Sequence, residues 1–178
     1  MEYILNEKNI LRNIECDNIA KLICIAQNQK KVYFILEYYQ NGDLFNYLNQ
    51  LKFFEEETVK FIMVQIFETL KYLHSKKIIY RDLKPENIMI SDDGFIKLID
   101  FGLAKQLNNE EDKCEEICGT NEYIPPEVVS RQKYFFNFDW WGFGILMFEL
   151  LVGKVILVYY FFGIFIKIVV FWFCVISI

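Results

Sequence analysis

The sequence predicts an α+β fold, because one long amphipathic helix and two β-hairpins can be located in it. Apolar residues recur three or four positions apart from Val59 to Leu73, which is the spacing of a helix with one buried face. The segments 22–36 and 88–99 each hold two short β-prone runs around a polar turn. A chain of 178 residues suggests one domain and can bury a substantial core.

The first predicted elements are a helix and a hairpin. The helix is expected through Leu5 to Leu11. The runs Leu22 to Ala26 and Val32 to Leu36 follow, and the polar stretch between them indicates a hairpin turn. A connector over residues 37–43 then leads into a short helix predicted at Leu44 to Leu48.

The long helix is predicted from Glu55 to His74, and its three leading glutamates suit a helix N-terminus. His74 is the only histidine, and we expect it to have a structural role. Two strands, Ile88 to Ile90 and Phe95 to Ile99, flank the turn signal Asp92-Asp93-Gly94.

Composition excludes several classes of function. The net charge is −5 and no basic block occurs, so nucleic-acid binding is not expected. The five cysteines show neither zinc spacing nor a disulfide framework, which favours free thiols in a reducing compartment. The first residues lack a basic region followed by an apolar core, so we expect no signal peptide and a cytoplasmic location.

The residues that carry chemistry are concentrated in two neighbouring motifs. The first is Tyr80-Arg81-Asp82-Leu83-Lys84-Pro85-Glu86-Asn87, and the second is Asp100-Phe101-Gly102. In the first, an aspartate, a lysine two residues on and an asparagine five residues on can place a base, a cation and a metal ligand together. The second adds a hard oxygen ligand of the kind that Mg²⁺ requires. Phosphoryl transfer needs these parts.

The two motifs resemble the catalytic loop and the metal-binding loop of eukaryotic protein kinases, with Tyr80 in place of the commoner histidine. The resemblance extends over about residues 3–153. Cys118 to Glu127 is similar to the end of the activation segment, and Asp139 to Gly144 to the start of the helix that anchors the catalytic loop. With the run Leu5 to Lys8, these features are most like the AGC group of serine/threonine kinases. The alternative is that they are core and turn residues of another α+β domain.

The resemblance implies a kinase-like fold that is incomplete at both ends. Residues 1–36 would be a remnant of the small lobe, 37–153 the hinge and the first half of the large lobe, and 154–178 an apolar tail. The Gly-rich loop and the ATP-binding lysine of the family are absent from this sequence. Glu127 is expected to lack the arginine with which it pairs in the family.

The resemblance also implies a role for each matching residue. Asp82 would orient the substrate hydroxyl and accept its proton, and Lys84 would contact the phosphoryl group. Asn87 and Asp100 would hold Mg²⁺. The residues expected at the ATP site are Glu7, which pairs with the ATP-binding lysine in the family, the hinge residues Glu37 and Tyr39, and Met89 under the adenine ring.

Three acidic residues, Asp43, Glu86 and Glu149, match positions that bind basic residues of the protein substrate. The alternative is that they are solvated surface charges.

A regulatory contact is predicted between Arg81 and Glu116. In the family, an arginine at this position usually awaits a phosphate on the activation segment, and here the phosphothreonine position falls on Glu116. No serine or threonine occurs between Asp100 and Gly119. We therefore predict that Glu116 pairs with Arg81 without phosphorylation. The alternative is that Glu116 belongs to a solvated acidic run.

Residues 155–178 are almost wholly apolar, with Lys167 their one charge, and are long enough to span a bilayer. They are either a candidate transmembrane helix or translated non-coding sequence in place of the true continuation. Both interpretations predict membrane association or aggregation of the full chain.

Two functions from different classes follow from these observations. The first is a protein serine/threonine kinase that uses ATP and Mg²⁺ on a protein substrate with basic residues near the acceptor. Its activity would be low in this chain, because the Gly-rich loop and the lysine are absent. The second is a non-catalytic, kinase-like fragment that acts as a binding or membrane-associated protein.

Overall fold

The computed structural model describes residues 2–108 and 112–154. The apolar run 155–178 lies outside these residues, as do Glu110 and Glu111 of the acidic run. Within the described ranges, no helix combines the length and the apolar character needed to cross a bilayer. The elements in chain order are α1 Glu2–Asn13, β1 Leu22–Gln27, β2 Val32–Leu36, α2 Leu44–Leu51, α3 Glu56–Ser75, β3 Ile78–Ile79, β4 Ile88–Ile90, β5 Ile96–Leu98, β6 Lys105–Gln106, α4 Pro126–Val129 and α5 Asn137–Val152, with 3₁₀ turns at Pro85–Asn87 and Asn121–Tyr123.

The described strands form three small antiparallel sheets, β1–β2, β3–β6 and β4–β5. The two hairpins that the sequence predicts are β1–β2 and β4–β5. In β1, the register shifts between Leu22 and Cys24, so this strand carries a bulge. Together with the helices, these sheets confirm the α+β prediction.

The main core is built around α3, whose predicted apolar face is buried. The residues of that face are Val59, Ile62, Met63, Ile66, Leu70 and Leu73. They pack with residues of α1, of the hairpin β4–β5 and of α5 in one continuous cluster. Since this cluster includes Leu11 of α1 and Leu150 of α5, residues on both sides of the predicted boundary at residue 36 share a core.

Helix α2 ends one turn later than predicted. The helix was predicted to end at Leu48, but it continues to Leu51. It stops where Lys52 adopts a positive φ of 74° and its N–H donates to the Leu48 carbonyl.

Gly153 joins the end of α5 to the turn after α2. It has φ +79°, and its N–H caps the Glu149 carbonyl at 2.7 Å. A Cβ atom there would lie 1.7 Å from the Lys52 carbonyl oxygen, so only glycine fits. This contact fixes α5 against the α2–α3 connection, and the other end of α5 holds the site.

Candidate active site

The loop of residues 80–87 is anchored by Asp139 at the start of α5. The Asp139 carboxylate is buried and accepts hydrogen bonds from the backbone N–H groups of Tyr80 at 2.9 Å and Arg81 at 2.8 Å. Arg81 has φ 68°, which a residue with a side chain seldom adopts. The two bonds to Asp139 hold the loop in this strained conformation.

His74 completes this anchor from α3. Its Nε2 lies 2.7 Å from Oδ2 of Asp139, and its ring stacks on Phe136 with centroids 4.3 Å apart. Trp140 contacts the same ring edge-on at 5.2 Å. The structural role expected for His74 is confirmed, whereas sequence reasoning had not singled out Asp139 as a site residue.

Asp82 is the centre of the site, and three side chains hold its buried carboxylate. Oδ2 lies 2.8 Å from Nδ2 of Asn87 and 2.8 Å from Nζ of Lys84. Oδ1 accepts a hydrogen bond of 2.9 Å from the hydroxyl of Thr120. That hydroxyl in turn accepts from Lys84 at 3.0 Å. The structure therefore brings Asp82, Lys84 and Asn87 together and adds Thr120.

Thr120 was missed by the sequence reasoning, although its neighbour Gly119 carries a signal. Gly119 has φ +96°, and a Cβ atom there would lie 2.8 Å from the Arg81 carbonyl oxygen and 3.3 Å from the Phe138 ring. A glycine lets the segment approach the loop this closely. The Gly-Thr pair thus delivers the hydroxyl to Asp82.

The donor set near Asp82 fits a magnesium ion. Asn87 donates through its amide nitrogen to both the backbone and the carboxylate oxygen of Asp82, which leaves its side-chain carbonyl oxygen for a cation. The Ile99 N–H donates to the Asn87 backbone carbonyl at 3.0 Å. Asp100 is the residue after Ile99, so the segments that carry Asn87 and Asp100 are neighbours. Asp100 is exposed, and its Oδ1 accepts from the Gly102 N–H at 3.0 Å. Carboxylate and amide oxygens are the hard ligands that Mg²⁺ prefers.

Helix α1 places Glu7 next to this donor set. The Asn6 side chain donates to the Ala104 carbonyl at 2.6 Å, which fixes α1 against the segment after Asp100. Burial raises the pKa of Glu7, and the nearby Asp100 carboxylate raises it further. Among the described residues, no lysine or arginine forms an ion pair with Glu7.

The hinge residues leave one donor and one acceptor free within the described ranges. The Glu37 N–H donates to the Lys21 carbonyl at 3.0 Å, and the Tyr39 carbonyl accepts from the Gly42 N–H at 3.3 Å. The Glu37 carbonyl and the Tyr39 N–H therefore have no backbone partner among the described residues, and they can form hydrogen bonds with the edge of a ligand. Burial, together with the hydrogen bond to Glu37, raises the pKa of Tyr39 to about 12. Met89 is half-buried in β4, and it is joined to the end of the hinge by a backbone bridge to Asp43.

The three acidic residues expected to bind substrate occupy different environments. Asp43 caps α2, with its two oxygens accepting from the backbone and side-chain nitrogens of Asn46 at 2.8 and 2.9 Å. Glu86 is exposed. Glu149 is buried and accepts a short hydrogen bond from the Tyr123 hydroxyl.

The environment of Glu149 is acidic. Burial raises its pKa, the Tyr123 bond lowers it, and the charges of Glu86 and Glu122 raise it again, for a net increase. Glu86 and Glu149 therefore share one acidic cluster. Glu122 and Tyr123 belong to it as well, and the sequence reasoning did not name them.

The predicted contact between Arg81 and Glu116 is present. Nη1 of Arg81 lies 2.7 Å from Oε2 of Glu116 and 3.0 Å from the Tyr134 hydroxyl. Nε donates to the Leu103 carbonyl at 2.7 Å. The other Glu116 oxygen lies 2.8 Å from Nζ of Lys105. Each oxygen of Glu116 therefore has its own cation.

The charges in this contact stabilise each other. Burial disfavours the Arg81 charge, but the hydrogen bonds to Glu116 and Tyr134 give a net increase in its pKa. Hydrogen bonds from Lys105 and Arg81 lower the pKa of Glu116. The neighbouring Glu115 instead pairs with Lys133 at 2.5 Å on the surface.

Glu127 forms no ion pair with an arginine among the described residues, but its carboxylate is not left without a partner. Its carboxylate accepts a short hydrogen bond from the Asn137 side-chain amide at the start of α5. The side chain is also only half-buried, so water can reach part of it. An uncompensated buried charge therefore does not arise here.

Comparison with known proteins agrees with this geometry. A family model described as Protein kinase domain matches residues 1–159. Ribosomal protein S6 kinase alpha-1 of Homo sapiens is 46% identical over 148 residues, which are 83% of this chain and 20% of that protein. Ribosomal protein S6 kinase alpha-3 of Mus musculus is 47% identical over 147 residues, with 83% and 20% covered.

Ribosomal protein S6 kinase 2 beta of Xenopus laevis is 45% identical over 148 residues, 83% of this chain and 24% of that protein. The chain thus spans about a fifth to a quarter of the length of these relatives. The family match covers most of the chain, including both motifs and the activation segment. The chain belongs to the protein kinase domain family, and its predicted likeness to the AGC-like serine/threonine kinases is confirmed.

Proposed function

We propose that this chain carries the catalytic loop of an ATP-dependent protein serine/threonine kinase. The observation that supports this most strongly is the Asp82 carboxylate, which is buried and held by Lys84, Asn87 and Thr120. Three converging donors fix the orientation of a base, and such positioning supplies much of the catalysis of phosphoryl transfer.

The reaction places one demand on each of these groups. The acceptor hydroxyl oxygen bonds to the γ-phosphorus of ATP as the bond from that phosphorus to the bridging oxygen of ADP breaks. The hydroxyl proton passes to Asp82. Lys84 lies beside Asp82 and offers positive charge to the transferring group. When bound, Mg²⁺ neutralises charge on the phosphate oxygens, and Asn87 and Asp100 are the residues proposed to hold it.

The substrates follow from the surroundings of the site. Protein kinases generally use ATP and Mg²⁺, and we assign the adenine to the free hinge groups of Glu37 and Tyr39, above Met89. We assign basic residues of the protein substrate to the cluster that contains Glu86 and Glu149. Asp43 is the weakest of the three acidic candidates, because both its oxygens already accept hydrogen bonds from Asn46 of α2.

We place this activity in the cytoplasm. The described cysteines are all free thiols, which suits a reducing compartment. Membrane association through residues 155–178 stays a prediction, because those residues lie outside the described ranges.

We further propose that the 178-residue chain by itself transfers phosphate slowly. Glu7 has no ion-pair partner among the described residues, so the cation that aligns phosphates in the family is not supplied here. The loss of such a positioning group lowers the rate by on the order of 10²-fold or more.

Glu116 is proposed to replace an activating phosphate. It contacts the buried Arg81 of the catalytic loop and also Lys105 of β6. These two contacts join the activation segment to the catalytic loop on one side and to β6 on the other. A carboxylate carries less charge than a phosphate, but it can bind a guanidinium in the same way.

Phosphotransfer tests the proposal. The chain would be fused behind the Gly-rich loop and lysine strand of a relative, and transfer from ATP to a basic serine peptide would be measured. We expect Mg²⁺-dependent transfer by the fusion, little by the unfused chain, and a loss on the order of 10²-fold or more in Asp82→Asn. Equal rates for the fusion and its Asp82→Asn variant would reject the assigned base.

A further inference from the structure

Asn41 and Gly42 lie in the turn that joins the hinge to α2. Asparagine is a chemically labile residue, because the backbone nitrogen that follows it can attack its side-chain amide. A glycine in the next position leaves that nitrogen unshielded, since glycine carries no side chain. Asn41 is the one asparagine of this sequence that precedes a glycine.

The structure leaves the Asn41 side chain exposed and closes its turn only loosely. The Gly42 N–H donates to the Tyr39 carbonyl at 3.3 Å, which is longer than the usual distance of about 2.9–3.0 Å. Gly42 has φ +76°, and a Cβ atom there would meet only Nδ2 of Asn46, at 4.0 Å. Opening of one long hydrogen bond therefore frees the Gly42 nitrogen in a part of the surface with open space.

The same turn is fastened to strand β4 by three successive residues. Nδ2 of Asn41 donates to the Ser91 carbonyl at 3.0 Å. The Gly42 carbonyl accepts from a backbone N–H of β4 at 2.9 Å, and Asp43 forms a backbone bridge with Met89. These links hold the end of the hinge beside the strand that carries Met89, which we assigned to the adenine.

We propose that Asn41 is a modification site, which deamidates in the folded chain to a product that weakens ATP binding. The Gly42 nitrogen, after losing its proton to base, bonds to Cγ of Asn41. The bond from Cγ to Nδ2 breaks, and ammonia leaves with a five-membered cyclic imide behind it. Water then opens the imide, so that in total one water is consumed and one ammonia is released. Opening on one side gives aspartate, and opening on the other gives isoaspartate, in which the main chain runs through Cγ.

Either product disturbs the links to β4. The amide donor to Ser91 is replaced by a carboxylate, whose oxygens repel the carbonyl oxygen that Asn41 had bound. The new charge also adjoins Asp92 and Asp93, which follow Ser91 in the sequence. Isoaspartate lengthens the main chain by one carbon and so shifts Gly42 along β4. The effect on ATP rests on the proposed function, whereas the modification itself does not.

Peptide mapping by mass spectrometry tests the modification in the full 178-residue chain, kept in a mild detergent at mildly alkaline pH. We expect Asn41 to convert to aspartate and isoaspartate several times faster than Asn28, an exposed turn asparagine that precedes Gln29. In Gly42→Ala, the added methyl group shields the nitrogen, and this difference should disappear. Conversion of Asn41 only in urea, or no faster than that of Asn28 in native buffer, would overturn the proposal.

The effect on ATP is tested in the kinase fusion with Asn41→Asp, which makes one product directly. KM for ATP should rise roughly tenfold through the lost hydrogen bond and the new repulsion, whereas kcat should change little. Asn28→Asp adds the same charge away from the hinge and should leave both constants unchanged. An Asn41→Asp fusion with the KM of the parent would overturn the effect on ATP. A parent fusion without activity would reject the proposed function and this effect with it, while peptide mapping would still decide the modification.

Discussion

Replacement of Asp139 by alanine is expected to release the catalytic loop. Asp139 is 1% exposed, and its two oxygens accept from the backbone N–H groups of Tyr80 and Arg81. His74 also bonds to it, at 2.7 Å. In Asp139→Ala, both buried N–H groups lose their acceptor, and Arg81 keeps a positive φ without the bond that holds it.

The expected loss of stability in Asp139→Ala can be estimated from the two N–H groups. A buried donor left without a partner costs about 1–3 kcal/mol, so the pair costs about 2–6 kcal/mol before the His74 contact is counted. A domain of this size is usually stable by about 5–15 kcal/mol. We therefore expect Asp139→Ala to lower the free energy of unfolding by about 3 kcal/mol or more. Asp139→Asn keeps one acceptor oxygen and should lie between Asp139→Ala and the parent.

Urea unfolding followed by tryptophan fluorescence measures this loss, since Trp140 contacts the His74 ring. Asp92→Ala is the matched control, because Asp92 is exposed and its replacement should change stability by less than about 0.5 kcal/mol. Amide exchange gives a local measure, and the Tyr80 and Arg81 amides should exchange on the order of 10²-fold faster. If Asp139→Ala unfolds like Asp92→Ala and these amides stay protected, Asp139 is not the anchor.

Three further predictions concern other parts of the fold. Gly153→Ala should destabilise the chain by at least about 2 kcal/mol in urea unfolding, because its Cβ would overlap the Lys52 carbonyl; Gly94→Ala, at φ +83° in open space, should cost only about 1 kcal/mol. Glu7→Gln should stabilise the chain at neutral pH, because burial and Asp100 raise the pKa of Glu7 and disfavour its charged form. In the kinase fusion, Glu116→Gln should lower activity roughly tenfold by weakening a charged bond worth about 1–3 kcal/mol.

Each of these has an outcome that would contradict it. Equal losses for the two glycine variants would show that the overlap at Gly153 is relieved. The gain from Glu7→Gln should disappear below about pH 4.5, where the glutamate is protonated in the folded and unfolded chain alike; a gain independent of pH would have another cause. Glu115→Gln is the control for Glu116, and equal effects of the two would mean that the Arg81 contact does not order the segment.

Periodicity predicted the elements of this fold well where local pattern and tertiary packing agree. The helix α3 was predicted to within one residue at each end, because its apolar face is the face that the core buries. Helix α2 was predicted too short, because its end is set by the backbone turn at Lys52 and by the packing of Gly153 on it. Such a contact joins residues far apart in sequence, so the local pattern does not contain it.

The site residues also divide into those that the sequence pattern grouped and those that only the tertiary packing brings together. The spacing of Asp82, Lys84 and Asn87 sufficed to group them, since one loop carries all three. Thr120 and Asp139 come from elements about 40 and 60 residues downstream, and their contacts to the loop depend on the packing of the whole domain. The Asn137 partner of Glu127 was missed because the family pattern pointed to an arginine, whereas the structure pairs Glu127 with an amide at the start of α5.

The Thr120 hydroxyl tests the central claim most directly, which is that the activation segment completes the catalytic loop by holding Asp82 and Lys84. In the kinase fusion, Thr120→Val keeps the shape of the side chain but removes both hydrogen bonds, at 2.9 and 3.0 Å. We predict that kcat for peptide phosphorylation falls on the order of 10²-fold with little change in KM for ATP, and that Thr120→Ser restores it. A Thr120→Val enzyme as fast as the parent would contradict the account.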